Sequence, residues 1–157
     1  MADTFSQIYL HIVFAVRFRE HLIGPSFSEE LQKYITGIVK RHGCKMLAIK
    51  AMPDHVHIFI FYVPGSSVAD MVREIKAYSA EFIKKKNWSD GFSWQAGYGV
   101  FSYSRSQISQ VINYIQNQEA HHGKRSFKEE YMKILKDFCV EMGNKEVFTW
   151  IEEQEKK

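Results

Sequence analysis

Residues 45–63, KMLAIKAMPDHVHIFIFYV, decide the fold of this chain. Two runs, 45–52 and 55–63, are rich in β-branched, aromatic and other apolar residues, as strands are. Pro53-Asp54 between them is a turn signal, because proline and aspartate favour tight turns. The stretch therefore predicts two antiparallel strands joined by a short turn.

The second strand of this hairpin opens with His55 and His57, one residue apart. Successive side chains of a strand point to opposite faces, so the two imidazoles share one face. Two neighbouring imidazoles can chelate a metal ion, and neutral imidazole is a common protein metal ligand. Paired histidines also occur as ordinary polar residues on an exposed face, so the pair alone leaves both interpretations open.

Other elements flank the hairpin. A first strand is predicted at about 5–18, and Ser26 followed by Glu29 is a capping-box signature for the first helix. Gly43 stands where the C-terminal glycine of that helix belongs. A second amphipathic helix, a short fourth strand at 97–104, a third helix capped by Ser106 and a fourth helix capped by Ser126 follow.

The order β-α-β-β-α-β followed by helices resembles the ferredoxin-like (RRM-like) arrangement, an antiparallel sheet with helices packed on it. We therefore predict an α+β fold in a single domain spanning 1–157, with a C-terminal helix that carries Tyr114. The charged tail from about residue 152 is expected to be frayed. This fold hosts many unrelated functions and does not identify the chemistry.

The composition is that of a globular protein. Of the 157 residues, 45% are hydrophobic and 25% are charged, enough for one domain with a real core. No apolar run approaches the roughly 20 residues that span a bilayer, and we find no secretory signal. Cys44 and Cys139 are too few for a disulfide framework or a zinc site, so we expect a cytoplasmic protein.

The net charge of +3 permits nucleic-acid binding without requiring it. The lysine run 84–86 is followed by Trp88, Phe92 and Trp94. Cations beside aromatic rings suit an unpaired nucleic-acid strand, which needs charge for phosphates and flat faces for bases. The alternative is a solvated helix end followed by tryptophans that anchor the core.

Tyr114 and Gln118 form a second group of polar residues on the predicted third helix. They are four residues apart and therefore neighbours on one helix face. Both lie off the apolar stripe that would hold the helix to the body, so core packing does not explain them. The alternative is a half-exposed surface tyrosine, which is common.

The segments MPDHVHIFI, GYGVFSYSRSQ and YIQNQEAHHGKRSF occur in this order, with the lysine-ended helix after the first. Together they resemble the single-tyrosine HUH transposases of small insertion sequences (TnpA-like), including relatives associated with repetitive extragenic palindromes. His55-Val56-His57 matches the HUH signature, and Tyr114-x-x-x-Gln118 follows at the separation expected for the family. The resemblance covers nearly the whole chain.

The resemblance implies a transposase that cleaves and rejoins single-stranded DNA with hairpin ends. It implies Tyr114 as the nucleophile, forming a 5′-phosphotyrosine intermediate, and His55, His57 and Gln118 as metal ligands. Nitrogen and oxygen donors without a thiolate suit Mg²⁺ or Mn²⁺. A homodimer is also implied, in which the tyrosine helix docks in trans on the partner's histidines, although glycines at 97–106 would permit docking in cis or in trans. Candidate phosphate contacts are Arg17, Arg19, Lys76, Lys84, Lys85, Arg105 and Lys124.

Three alternatives remain. A domesticated homologue would nick and rejoin palindromes without mobilising itself, and it would carry the same residues. A non-catalytic single-stranded nucleic-acid-binding module would use Phe59 and Phe61 as stacking platforms. A metal-dependent phosphoesterase would use only His55 and His57. The Tyr114/Gln118 pair argues against the last two, which have no use for a nucleophile beside a metal ligand.

Overall fold

The computed structural model describes residues 3–119 and 126–137. Short 3-10 turns form at Arg17–Arg19 and at Arg105–Gln107. None of the helices in the described ranges is long and apolar enough to cross a membrane. In chain order the elements are β1 Ile8–Ala15, α1 Ser28–Arg41, β2 Lys45–Met52, β3 His55–Tyr62, α2 Val68–Lys85, β4 Gly99–Tyr103, α3 Ile108–Gln116 and α4 Phe127–Asp137.

The sheet has the strand order β2-β3-β1-β4, and each neighbouring pair is antiparallel. This is the order of a ferredoxin-like sheet, so the predicted α+β fold is confirmed. The hairpin forms with β2 at its predicted bounds and β3 one residue shorter than predicted. Gly43, at the end of α1, has a φ of 79°, a left-handed conformation that glycine adopts without strain.

The two faces of the sheet are covered by different helices. On one face, α1 and α2 pack against alternate residues of the central strands, among them Ile12, Phe14, Val56, Ile58 and Ile60. On the other face, α4 packs against Val13 and α3 packs against Phe59. β3 is therefore buried on both faces, which explains its nearly unbroken apolar sequence.

The first strand is shorter than its predicted range of 5–18. Phe5 is 92% exposed, and β1 begins only at Ile8. At the other end the amide of Val16 donates to the carbonyl of Asp54, after which the chain turns at Phe18, with a φ of 59°. Beyond Ala15, Val16 forms only an isolated antiparallel bridge with Trp94, and Phe18 lies in a 3-10 turn, although both residue types favour a strand.

The cap predicted for the first helix at Ser26 is wrong. α1 begins at Ser28, and its N-cap residue Phe27 makes no side-chain cap bond. Phe27 is buried and stacks on Trp88, with ring centroids 4.7 Å apart. Anchoring of this ring in the core decides where the helix starts.

The cap predicted for the third helix is also displaced. Ser104, and not Ser106, forms a capping box with Gln107 in the turn before α3. The cap predicted for the fourth helix is confirmed, since Ser126 Oγ accepts a hydrogen bond from the amide of Glu129 at 3.3 Å.

Candidate active site

His55 and His57 lie at the start of β3, on the sheet face that α3 and α4 cover. Their side chains are buried, with 1% and 0% of the residue surface exposed, and their ring centroids are 5.0 Å apart. The pair is therefore not an exposed polar patch. Buried polar rings require partners, and both histidines have them.

Each imidazole is held through its Nδ1 atom. Asp54 Oδ1 lies 2.6 Å from His55 Nδ1, and His11 Nε2 lies 2.8 Å from His57 Nδ1. The Nε2 atoms face Glu130 of α4, whose Oε1 is 2.9 Å from His57 Nε2 and 4.0 Å from His55 Nε2. One ligand atom from each of His55, His57 and Glu130 can be chosen so that all lie within 4.8 Å of one another.

Glu130 is not among the site residues that the sequence predicts. Phe127 of the same helix stacks on His55, with ring centroids 3.9 Å apart, and so places α4 over the histidines. A signal was present in the sequence: Phe127, Glu130, Tyr131 and Ile134 recur at helical spacing, and all four are buried. A carboxylate on an apolar stripe is rarely buried unless it is paired, so it marks a candidate site.

Tyr114 and Gln118 reach the same place from the end of α3. The Tyr114 ring is half-buried, and its centroid lies 6.0 Å from that of His57. Hydrogen bonds join the Tyr114 side chain to those of Glu130 and Gln118. Gln118 is buried and its Nε2 donates to the carbonyl of Tyr114 at 3.2 Å. The structure therefore brings the predicted tyrosine, glutamine and histidines together within one chain.

Burial keeps the side chains of Tyr114 and His55 neutral. Burial raises the pKa of the Tyr114 phenol well above its usual value, and the charge of Glu130 raises it further. Burial lowers the pKa of His55 to about 4, although its hydrogen bond to the Asp54 carboxylate opposes the shift. A neutral imidazole keeps the lone pair with which it can bind a metal ion.

The donor set fits a divalent cation. Two imidazole nitrogens and a carboxylate oxygen converge, with the Gln118 amide nearby and no thiolate among them. Nitrogen and oxygen ligands of this kind bind divalent cations, and none of them is a thiolate of the kind that dominates structural zinc sites. The site thus combines a tyrosine hydroxyl with residues able to hold a metal.

The predicted DNA contacts are scattered over the molecule. Lys76, Lys84 and Lys85 lie on α2, which packs on the sheet face opposite the histidines. Lys76 Nζ donates to the carbonyls of Gln95 at 2.7 Å and Gly97 at 2.6 Å, and burial lowers its pKa to about 8. Lys76 therefore braces the loop before β4.

Arg17 and Arg105 are exposed and lie near opposite ends of β1. Arg17 follows β1 by two residues at the end where Ala15 is paired with His55. The side chain of Arg19 and the whole of Lys124 lie outside the described structure. The roles of all these cations in binding DNA stay predictions.

The aromatic residues after the lysine run pack inward. Trp88 stacks on Phe27, and the Trp94 indole donates to Ser79 Oγ at 2.8 Å. Phe59, proposed above as a base-stacking platform, is fully buried beneath α3. All three rings therefore anchor the core. For Trp88 and Trp94 this is the alternative to nucleic-acid stacking that the sequence leaves open.

Known proteins resemble this chain in sequence and in fold. A family model described as "Transposase IS200 like" matches residues 4–118. The ISDra2 transposase TnpA of Deinococcus radiodurans is 25% identical over 119 residues, which cover 71% of this chain and 84% of that protein.

Two solved structures share the fold. A crystal structure of a candidate transposase from Deinococcus radiodurans has a TM-score of 0.57 and 24% identity, over 75% of this chain and 95% of that one. A REP-associated tyrosine transposase bound to a REP hairpin has a TM-score of 0.59 and 15% identity, over 78% of this chain and 75% of that one. The family match contains His55, His57, Tyr114 and Gln118, and it confirms the family predicted from those residues. The chain belongs to the IS200-like transposase family.

Proposed function

We propose that this transposase cleaves and rejoins single-stranded DNA at hairpin ends through a covalent bond to Tyr114. The observation that carries the proposal is the hydrogen-bonded contact of the Tyr114 side chain with Glu130, which also contacts His57 at 2.9 Å. A pure binding module would not need a tyrosine hydroxyl beside convergent metal-binding groups. The hairpin substrate is suggested by the structural relative that was solved with one.

In the proposed reaction Tyr114 Oη attacks the scissile phosphorus. The new Tyr–O–P bond replaces the bond from phosphorus to the 3′ oxygen, which leaves as a free 3′-hydroxyl after taking a proton from solvent. Glu130, which already contacts the phenol, accepts the proton of Tyr114. Because the phosphotyrosine keeps the phosphodiester energy, a second 3′-hydroxyl can reverse the step and join a new strand without ATP.

We assign metal binding to His55, His57 and Gln118, with Glu130 as a further ligand. A bound Mg²⁺ or Mn²⁺ would polarise the phosphate and stabilise charge on the leaving oxygen. Asp54 and His11 fix the two imidazole rings, so that their Nε2 atoms converge. The bound ion would also take oxygens of the DNA phosphate as ligands.

We further propose that cleavage occurs in cis. Tyr114 and His57 of the same chain lie in contact distance, so a composite site with a partner is not required for cleavage. Exchange of two strands still needs two tyrosines, and a homodimer would supply them. A domesticated homologue would use the same chemistry, in the cytoplasm, on palindromes elsewhere in the genome.

The test is covalent capture of labelled hairpin DNA in the presence of Mn²⁺. DNA labelled at its 3′ end should give a protein-linked band that resists denaturation, whereas 5′-labelled DNA should give only a shortened free strand. Tyr114→Phe should abolish both products and retain DNA binding. Tyr34→Phe is the matched control, because this half-buried tyrosine stacks on Phe82, on the opposite sheet face.

An adduct formed by Tyr114→Phe would refute the assignment of the nucleophile. Binding without any cleavage by the wild type would favour the non-catalytic module. Mixing Tyr114→Phe with His57→Ala protein tests the cis proposal. Recovery of cleavage after subunit exchange would show that the tyrosine works in trans.

A further inference from the structure

We propose that His11 is a positioning residue for His57, and that both rings change tautomer when a divalent cation binds. His11 lies on β1, on the same sheet face as His57. The inference rests on the proposed metal site, because it concerns how His57 presents its Nε2 atom. Neither the HUH signature nor the tyrosine motif includes His11.

His11 is fully buried, and its surroundings offer few polar partners. Its ring stacks on that of His57, with centroids 5.0 Å apart and an interplanar angle of 21°. Phe101 and Tyr103 provide the other ring contacts, at 6.3 and 6.2 Å. His11 Nδ1 has no hydrogen-bond partner in the described part of the chain. A phenylalanine or leucine would fill this place at a lower desolvation cost, so the bond to His57 is the distinctive contribution of His11.

The positions of the protons follow from the contacts. Without a cation, the Glu130 carboxylate accepts a hydrogen bond from His57 Nε2 at 2.9 Å. His57 Nδ1 then has no proton and accepts from His11 Nε2 at 2.8 Å. His11 Nδ1 is therefore a bare acceptor in this state, and a buried acceptor without a partner is tolerated better than a buried donor.

Cation binding requires the opposite arrangement. His57 Nε2 must give up its proton to present a lone pair, so the ring carries its proton at Nδ1 and donates to His11 Nε2. His11 in turn carries its proton at Nδ1, and the bond of His57 to the cation must offset the desolvation cost of this unpartnered buried donor. The proton lost from His57 Nε2 is matched by one gained at His11 Nδ1, so the number of protons on the pair is unchanged.

His57 thus differs from His55, whose Nδ1 faces the carboxylate of Asp54 at 2.6 Å. A carboxylate only accepts, so it fixes the Nδ1–H tautomer of His55 whether or not a cation is bound. The neutral His11 can donate or accept, and it permits both tautomers of His57. The hydrogen bond that His57 Nε2 donates to Glu130 and the bond of Nε2 to a cation are therefore alternative states of the same ring.

The direct test is ¹⁵N NMR of the imidazoles, with and without Mg²⁺. The ¹⁵N shifts should report protonated Nε2 in His11 and His57 without the ion, and protonated Nδ1 in both with it, while His55 keeps one tautomer. A purely structural role for His11 would not predict this change. An unchanged His11 tautomer in a sample where His57 responds to Mg²⁺ would overturn the proposal.

Mn²⁺ affinity, followed by the EPR signal of the free ion, tests positioning independently. His11→Phe should weaken binding by about 10- to 100-fold, as loss of an outer hydrogen bond to a ligand does. His11→Gln, whose amide can accept from His57 Nδ1, should recover most of the affinity. Tyr9→Phe, two residues away on the same strand face, is the control and should bind like the wild type.

The outcomes separate this proposal from the metal site itself. Wild-type affinity in folded His11→Phe, or equal losses in His11→Gln and His11→Phe, would overturn the role of His11 alone. Mn²⁺ binding that survives His57→Ala would overturn the proposed metal site, and this inference with it. Because His11→Phe replaces a hydrogen-bonding ring with an apolar one, circular dichroism is used to check that this variant folds. The His11→Gln variant and the NMR test do not depend on the folding of His11→Phe.

Discussion

The two faces of the sheet differ in composition, although the same strands build both. Toward α1 and α2, β1 and β3 present Ile12, Phe14 and Ile58 to a large aliphatic and aromatic cluster. Toward α3 and α4, the same strands present three buried histidines, His11, His55 and His57, with Glu130 closing over two of them. Apolar burial is the main favourable term in folding, whereas buried polar groups only offset their desolvation.

The comparison teaches that apolar packing fills one face, whereas the other face combines apolar packing with the polar groups of the proposed site. Adjacent residues of β3 are divided between the two, because alternate side chains point to opposite faces. Substitutions at neighbouring positions should therefore produce different kinds of defect. The following predictions test that division, beginning with the largest expected effect.

His57→Ala and Ile58→Ala provide the sharpest contrast. His57→Ala should reduce cleavage to background and abolish the rise in Tm caused by Mn²⁺, because it removes a proposed ligand. Ile58→Ala should lower the free energy of unfolding by about 2–5 kcal/mol and keep the response to Mn²⁺. Thermal unfolding with and without Mn²⁺ measures both. A Mn²⁺ response that survives in His57→Ala would break the division.

The histidine face should make stability depend on pH. Burial lowers the pKa of His55 to about 4, whereas an unfolded histidine titrates near 6.5. Between these values the unfolded state binds more protons, so stability falls as the pH falls from about 6.5 to about 4. Titration of His55 should lower the free energy of unfolding by about 3 kcal/mol over this pH range.

Urea unfolding without metal, at several pH values, measures this loss. His55→Gln should flatten the dependence, whereas Val56→Ala, on the other face, should lower stability at every pH without changing the slope. Equal slopes in wild type and His55→Gln would contradict the assignment.

Gly99→Ala should disturb the chemical face through packing. A Cβ at Gly99 would collide with Tyr131 Oη of α4 and come within 3.0 Å of the Phe101 ring. We expect the free energy of unfolding to fall by about 1–3 kcal/mol. We also expect weaker cleavage, because α4 carries Glu130. Tyr131→Phe in the same chain should restore part of both, measured as a double-mutant cycle. Strict additivity would show that the Tyr131 hydroxyl is not the obstacle.

Lys84→Gln should have the smallest effect. This substitution tests whether DNA also contacts α2, which lies on the sheet face opposite the histidines. If Lys84 binds a phosphate, the substitution should weaken DNA binding slightly for every DNA sequence. The slope of the logarithm of the DNA association constant against the logarithm of salt concentration should then decrease in magnitude by about 1. Lys40→Gln, at the exposed end of α1, is the control. An unchanged slope would show that Lys84 contacts no phosphate.

Much of the fold could be predicted from local signals. The hairpin bounds follow from Pro53-Asp54 between two apolar runs, and the end of α1 follows from Gly43. The start of α1 could not be predicted in this way, because the burial of Phe27 outweighs the cap that Ser26 offers. Serine capping is worth about 1 kcal/mol, less than burying a large aromatic ring.

The site was predictable where a short motif encodes it. His55, His57, Tyr114 and Gln118 lie together within one chain, whereas the family resemblance implied docking of the tyrosine helix on a partner's histidines. Glu130 and His11 belong to no motif and come from distant elements, so the packing of α4 and β1 is needed to place them at the site. Their shared signal in the sequence is a polar residue at a position whose spacing predicts burial.

The placement of the site along the chain has a consequence for synthesis. The histidines come from β3, but Tyr114 and Glu130 come from elements that leave the ribosome much later. Chains fold from the N-terminal side as they emerge, so the sheet hairpin and its aliphatic layer can form first. A nascent chain that stops before α4 has its imidazoles without Glu130, the carboxylate partner of the proposed nucleophile. The proposed catalytic centre is therefore complete only when translation has passed residue 130.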